Sequence, residues 1–559
     1  MRGFALYVPG VVGTVLTAGL AACGGGQPPP SPSNEPLPSP VRVVASGAQF
    51  RGTNGLLFGP DGKLYVASVV TPVIAVFDPE TGVIEERLGP GQGVMGPDDL
   101  AFGPDGSLYW TDILYGEVGR RRLDGTNEVI ASLGPGPNPI TFADDGRLFV
   151  SQCFFDDRLW ELDPDGETEP RLINGELGPG CGLNGMDWGS DGYLYGPRWF
   201  RGEVARVDVN TGEVESVATG FGVPAAVKFD STGALHVLDT LAGEIVRVVD
   251  GAKEVVGRVQ PSSADNLAFS DDDRLFVSSF ADGFVVEVLD PETNRTLSPG
   301  GLIMPGGVAL DATGGTERLW LADFFSLRAL DPVSGVELDA ERDVLGVSEI
   351  GSVMTVHPHE DTLILTTWFD NQVKIWNPQE RAIESRFEGF AAPLDALAYG
   401  GGIAVAELGS ASVLHVHPES PDERSTIASD LGLPTGLATA DGDLFVTDRA
   451  GGRLLQIGVS GAPLVPPRLV ADGLEGPEGI DIGSDGRLYL VEADAARVIA
   501  IDLDSGARTV LADGLEIHAP AQANFPESWI FNGIAAGEGK VYVSGDRANV
   551  VYEIIVPGL

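Results

Sequence analysis

Asp98-Asp99-Leu100-Ala101-Phe102-Gly103-Pro104-Asp105-Gly106-Ser107-Leu108-Tyr109-Trp110-Thr111-Asp112 is the stretch on which the fold turns. A polar pair precedes a short apolar run, Gly-Pro-Asp-Gly supplies a tight turn, and a second apolar run follows. Strands this short joined by such a turn read as an antiparallel hairpin. The pattern stands upstream at Asn54-Gly55-Leu56-Leu57-Phe58 with Gly59-Pro60-Asp61-Gly62. Similar starts recur at Asn138, Asn184, Ala225, Asp265, Gly306, Ser352, Asp395, Thr435, Glu478 and Asn532. These twelve units are spaced by 40 to 46 residues, with a last step of 54.

Each unit continues through a third strand ending near Asp-Pro-x-Thr-Gly. Four short strands per repeat, with almost no helix-period segment, are the signature of propeller blades. A blade cannot bury both faces alone, so neighbours stack and the ring closes. A glycine after the first residue lets backbones approach near a crowded axis. The expected fold is all-β, two tandem six-bladed β-propellers over 41–299 and 300–559, with one twelve-bladed ring as the alternative. In the tandem arrangement Val41 to Ser46 closes the first ring and Arg295 to Ser298 the second; in a single ring Val41 to Ser46 completes the last blade. A parallel β-helix expects shorter repeats.

The chain has 559 residues, 43% of them hydrophobic, with 35 basic against 81 acidic residues and a net charge of −46. That much apolar residue argues against disorder, and 76 Gly with 40 Pro fit many tight turns. The acidity repels phosphate backbones and anionic surfaces while favouring divalent cations, which excludes nucleic acid as a partner. At the start, Arg2, a mostly apolar stretch and Leu20-Ala21-Ala22-Cys23 read as a signal peptide over 1–23. The tetrad resembles a bacterial lipoprotein box with Cys23 lipidated; the alternative is an ordinary secretory signal. Residues 24–40 read as a Gly/Pro/Ser tether. The expectation is a soluble body in the bacterial cell envelope, touching membrane only through its lipidated N-terminus and facing the periplasm or exterior.

Residues opening the inner strands face the channel of each ring. In the first ring these are Asn54, Asp98, Asn138, Asn184, Ala225 and Asp265, with Asp99 and Asn266 adjacent. Five of the six carry a side-chain oxygen, and each of the five lies four residues before an aromatic residue, as in Asp98/Phe102 and Asn184/Trp188. Two carboxylates with several amides suit a hard cation, most simply calcium; the competing explanation is local turn capping. Asp98, Asn138, Asn184 and Asp265 are the leading ligands, with Asn54 and Asn266 beside them, and Asp265 or Asp98 is the candidate base. In the second ring Gly306, Ser352, Asp395, Thr435, Glu478 and Asn532 take the axial places, and Asp395, Thr435, Glu478 and Asn532 form a polar cluster that admits a cation, water or a polar substrate.

Antiparallel pairing brings the ends of second strands, among them Asp112, Asp239, Ser278, Asp323, Asp448 and Glu492, to the channel mouths. It also brings Cys153 toward Cys181, so a disulfide is expected in an exported chain, two buried thiols being the alternative. Phe154, Phe155, Arg198, Trp199 and Phe200 form either a pocket wall or inter-blade packing. His357 and His359 read as lying near a turn at the opposite rim. With no histidine on the first axis, a Ser/His/Asp triad has no support. The insertion over 516–529 reads as a partial lid on the second channel.

The axial residues and the Asp-Gly-x-Leu-Tyr-Val-x-Asp style of strand resemble the calcium propellers of the gluconolactonase, senescence marker protein and luciferin-regenerating group, with paraoxonases as relatives. The resemblance implies that an acidic residue, two asparagines and an aspartate bind a divalent metal that orients a lactone or ester. Asn138, Asn184 and Asp265 match the two asparagines and the aspartate in type and order, and Asp265-Asn266 resembles the paraoxonase Asp-Asn pair. The early glutamate of that group is not at Asn54; Asp98 stands in its place, while Glu478, in Glu475-Gly476-Pro477-Glu478-Gly479, resembles it in the other ring. Tyr109-Trp110-Thr111-Asp112 also resembles the YWTD propellers, and the strands resemble NHL repeats.

The expected function is calcium-dependent hydrolysis of a lactone or ester, with metal polarising the carbonyl and a carboxylate activating water. The rival is a non-enzymatic binding or scaffolding propeller with structural calcium; a lyase using the same metal is a third reading. The expected partner is a small neutral or cationic molecule, a glycan, or a protein at a rim.

Overall fold

A computed structural model describes residues 41–557, except 179, 262, 313–314, 344–345, 347, 368–369 and 520–530. The signal, Cys23 and the tether lie outside the described residues. The described chain forms twelve four-stranded antiparallel sheets, and in eleven of them the strands follow one another in sequence order. It divides into two compact units: one spans Ala48–Gly301, and the other joins Val41–Gly47 to the chain from Leu302 onward. Each unit holds six blades, the tandem arrangement.

In the first unit blade 1 meets blade 6. Thr53 Oγ1 donates to Ser279 O at 2.7 Å, Ser278 Oγ donates to Asn54 O, and Phe50, Leu56 and Val66 share one core with Ala268, Phe276 and Val285. In the second, Gly533 N–H donates to Gly306 O at 3.2 Å, and Val308 and Leu319 pack with Ala535, Tyr542 and Val551.

Closure differs from expectation. Val41–Ser46 does not enter the first ring; it is the outer strand of blade 12, running antiparallel to Val550–Ile555. Arg42 Nε donates to Glu553 Oε1 at 2.5 Å, and Val44 is buried in the blade 7–blade 12 core. Thr293–Ser298 is the outer strand of blade 6 itself. The second ring is thus sealed by the strand that precedes the first, so the first domain begins at Ala48 rather than at residue 41.

Cores lie between successive blades. Ala101, Tyr109 and Val118 of blade 2, for example, pack on Ile140, Leu148 and Val150 of blade 3. Toward each axis the backbones crowd: a Cβ on Gly55 would stand 2.5 Å from Asp99 Cα, and one on Gly479 would stand 2.5 Å from Asn532 O. Only glycine fits there.

Candidate functional site

Most inner strands open with the same irregularity. In blade 2 the ladder pairs Pro97 with Asp112, then skips to Leu100 opposite Trp110. Blades 1, 3 and 6 shift likewise, between Thr53 and Leu56, Pro137 and Ile140, and Ala264 and Leu267. A bulge frees its residues from the ladder and re-aims their side chains. Asn54, Asp98, Asn138 and Asp265 occupy this bulge, and Asn184 precedes the short inner strand of blade 4.

All five are 1–7% exposed. Asn54 Nδ2 donates to Asp98 Oδ2 at 3.1 Å, which leaves the amide oxygen of Asn54 uncommitted by that bond. Asp98 Oδ1 is buried with no hydrogen-bond partner. Among the described residues, the side chains of Asn138, Asn184 and Asp265 make no protein hydrogen bond. Burial, followed by the charges of Asp265, Asp99 and Asp112, holds the Asp98 carboxyl well above the usual carboxylate range. Burial and then the charge of Asp99 push Asp265 up to about 7. Two carboxylates close enough to repel, with no cationic side chain on either, form a site that a cation would neutralise.

One residue deeper lies a second polar layer, part of it missed in the sequence. Asp99 Oδ2 accepts the N–H of Ile140 at 3.2 Å, and its Oδ1 accepts Asn266 Nδ2 at 3.4 Å. Asn266 Oδ1 accepts Leu267 N–H at 2.9 Å, so Asn266 links Asp99 to its own strand one step deeper than the axial residues. Asp187 Oδ2 accepts Phe229 N–H at 2.9 Å. Lys228 donates to Met186 O at 3.2 Å, and its charge offsets part of the burial that raises Asp99. Asp187 and Lys228 were legible only as alternate residues of strands whose register was already known.

The second ring is built differently. Thr111 Oγ1 donates to Asn138 O in the first ring, Thr447 Oγ1 to Glu478 O, and Thr366 Oγ1 to Leu394 O. Leu394, not Asp395, is therefore the axial counterpart of Asn138. By the same register Met354 replaces Ser352, because the bulge lies between Val353 and Thr355. Asp395 sits one step deeper, as Asp99 does: its Oδ2 accepts Leu437 N–H at 2.7 Å and its Oδ1 accepts Ala396 N–H at 2.9 Å.

His357 belongs to this channel and not to the opposite rim. Its Nε2 lies 2.8 Å from Asp395 Oδ1, and with Thr355, Asp395 and Asn532 it lines a cavity of about 30 Å³. Glu478 Oε1 accepts Arg449 Nε at 3.1 Å and Oε2 accepts Asn532 N–H at 2.7 Å. Burial dominates its pKa, which stands at about 8 despite Arg449. Thr435 is bonded to Thr447 and to Pro477 O, and Asn532 Nδ2 to Ser544 O and Asp546. Unlike Asn138, Asn184 and Asp265 of the first ring, each of these side chains is bonded within the protein. Of the insertion, Ala519 N–H donates to Asp546 Oδ2 at 2.9 Å; residues 520–530 lie outside the described residues.

The carboxylates at the mouths are loop caps. Asp112 Oδ2 accepts the N–H groups of Met95 and Gly96, Asp239 those of Gly222 and Val223, and Asp448 those of Gly432 and Leu433. Cys153 and Cys181 are joined in a disulfide. Near it, Phe154 packs edge-on to the buried Trp199 at 6.1 Å, while Phe155 and Phe200 are exposed.

The first-ring set fits calcium by its chemistry: an orphaned buried carboxylate oxygen, a second carboxylate beside it, the amides of Asn138 and Asn184 with no protein hydrogen bond, and an Asn54 amide oriented by Asp98. Among the described residues no group of three or more His, Cys, Asp and Glu side chains gathers as a metal site, so any cation here depends on the asparagine oxygens.

No family model and no curated protein matches the chain. Among solved structures it is similar to a streptogramin B lyase, at 18% identity and a TM-score of 0.37 over 50% of this chain and 94% of that one. It is also similar to a gluconolactonase from Xanthomonas campestris, at 17% and 0.38 over 46% and 91%, and to virginiamycin B lyase from Staphylococcus aureus, at 13% and 0.32 over 58% and 95%. At these identities and TM-scores the chemistry rests on the side chains above.

Proposed function

We propose that the first ring is a calcium-dependent hydrolase site for a neutral or cationic lactone or ester. The observation that carries this reading is the buried, partnerless Oδ1 of Asp98 beside a second unneutralised carboxylate, Asp265. Asp98, Asn54, Asn138 and Asn184 would hold the ion through oxygen. Bound calcium would supply the positive charge that polarises a substrate carbonyl. Asp265, near neutrality in pKa and free of protein hydrogen bonds, takes the proton of the attacking water at its carboxylate. Asp99, fixed by Ile140 N–H and Asn266, holds the strands that carry these groups in register. The net charge of −46 disfavours anionic substrates.

A second reading, a scaffolding propeller with structural calcium, is favoured by the burial of every axial side chain. Calcium titration of the metal-stripped chain, followed by a lactone and ester screen, separates the two. Binding with calcium-restored hydrolysis that Asp265→Asn abolishes supports the enzyme; binding without hydrolysis supports the scaffold. A folded chain that binds no calcium overturns both. The envelope anchor is part of this proposal and rests on the sequence around Cys23.

A further inference from the structure

In blade 2 the first turn carries Asp105, and fifteen residues on Arg120 donates to it at 2.6 Å, with its guanidinium over the Tyr109 ring at 5.3 Å. Blade 4 repeats this at the same spacing: Asp191 accepts Arg206 at 3.0 Å and the Tyr195 hydroxyl at 2.8 Å. A further carboxylate completes each guanidinium, Asp165 for Arg120 and Glu215 for Arg206. Blade 5 keeps the arginine. Arg247 faces His236 in its ladder as Arg120 faces Tyr109 and Arg206 faces Tyr195. Thr232, however, stands where Asp105 and Asp191 stand, and His236 where the tyrosines stand.

Arg247 has thereby lost the turn carboxylate; Glu254 faces it in the ladder as Glu215 faces Arg206, but makes no ion pair with it. Its Nε is buried without a hydrogen-bond partner, and among the described residues its guanidinium makes no hydrogen bond or ion pair. Beside it a cavity of about 370 Å³ is lined by Arg247, His236, Val256, Phe269, Leu275 and Val288, a size that suits a small molecule. Three carboxylates on its border are engaged elsewhere: Asp230 caps Thr232 and Ala234 N–H groups, Asp273 holds Ser231, and Asp290 caps Glu292 N–H. None of the three is bonded to Arg247, and their charge makes the site hostile to a dianion.

We infer that this cavity binds a small organic monocarboxylate, whose carboxylate takes on Arg247 the place Asp105 and Asp191 hold in blades 2 and 4, and whose apolar body lies against Phe269, Leu275 and Val288. A planar guanidinium suits a carboxylate in two-point contact. The site is independent of the axial cluster and of calcium.

Saturation-transfer NMR on the full chain tests it, with benzoate as probe and benzyl alcohol and inorganic phosphate as comparisons. Benzoate is expected to bind in the millimolar range or tighter and the other two not to compete with it. Arg247→Gln should weaken benzoate by roughly tenfold or more. Thr232→Asp restores the internal carboxylate that blades 2 and 4 fold around; it should weaken benzoate as much and raise Tm. Absence of benzoate binding, equal competition by phosphate, or unchanged affinity in folded Thr232→Asp chain would each overturn the inference.

Discussion

His357 Nε2 lies 2.8 Å from Asp395 Oδ1 inside the second channel. Burial opposes protonation of the ring, yet the Asp395 charge and hydrogen bond, with Asp481 beyond, raise its pKa above the ordinary 6.5. The stabilisation is therefore complete below 6.5 and is lost as pH rises through the raised folded-state value. His357→Gln should cost roughly 1.5–3 kcal/mol at acid pH, the worth of a hydrogen bond to a charged group, and less at alkaline pH. Urea unfolding of both chains across that range checks it; a pH-independent difference would refute the paired-charge account.

The strand Val41–Ser46 seals the second ring through Val550–Ile555. A chain beginning at Ala48 exposes that edge and uncovers Val44's place in the core. Hydrogen exchange should show the amides of Val550–Ile555 losing protection while the first-ring inner strands keep theirs. Equal protection in the shortened chain would mean that closure does not depend on this strand.

The disulfide Cys153–Cys181 spans 28 residues. A loop of that length is expected to stabilise by about 3–4 kcal/mol through the unfolded chain. The double Cys→Ser chain should show that loss in the first ring's denaturation, and added reductant should leave it unaffected.

The repeat was legible because turn glycines and strand aromatics recur in phase, so Asn54, Asp98, Asn138, Asn184 and Asp265 could be aligned by the aromatic four residues on. Blades 8 and 9 lack that marker: four residues after Met354 and Leu394 stand Pro358 and Ala398. The nearest polar residue then draws the alignment, and Ser352 and Asp395 fall out of register. His357 was hidden by Pro358 and the Glu360-Asp361 turn, which make the end of a long strand look like a loop. Which sheet edge Val41–Ser46 would join could not be read from its own residues, since any blade short of a strand offers the same ladder. Thr232 looked like an ordinary turn residue; only the arginine fifteen positions on shows what it replaces.

Asp98 and Asp265 lead to a prediction of opposite signs. Without a cation, two buried carboxylates repel, and Asp98 Oδ1 has no partner to offset its desolvation. Asp98→Asn removes one of two like charges while keeping the shape, so at a pH where both carboxyls are ionised the metal-stripped variant should be more stable than the metal-stripped wild type, by about 1–3 kcal/mol. With calcium the order should reverse. At a hundredfold excess over Kd, a ligand of the native state adds about 2.7 kcal/mol, a gain the variant should lack. Thermal unfolding of both chains, with and without calcium, reads the two signs in one experiment. If Asp98→Asn destabilises in both conditions, Asp98 is a structural carboxylate and not the site of a cation. If it stabilises in both and wild type gains nothing from calcium, the repulsion is present but no calcium relieves it, and the first-ring hydrolase proposal falls with it.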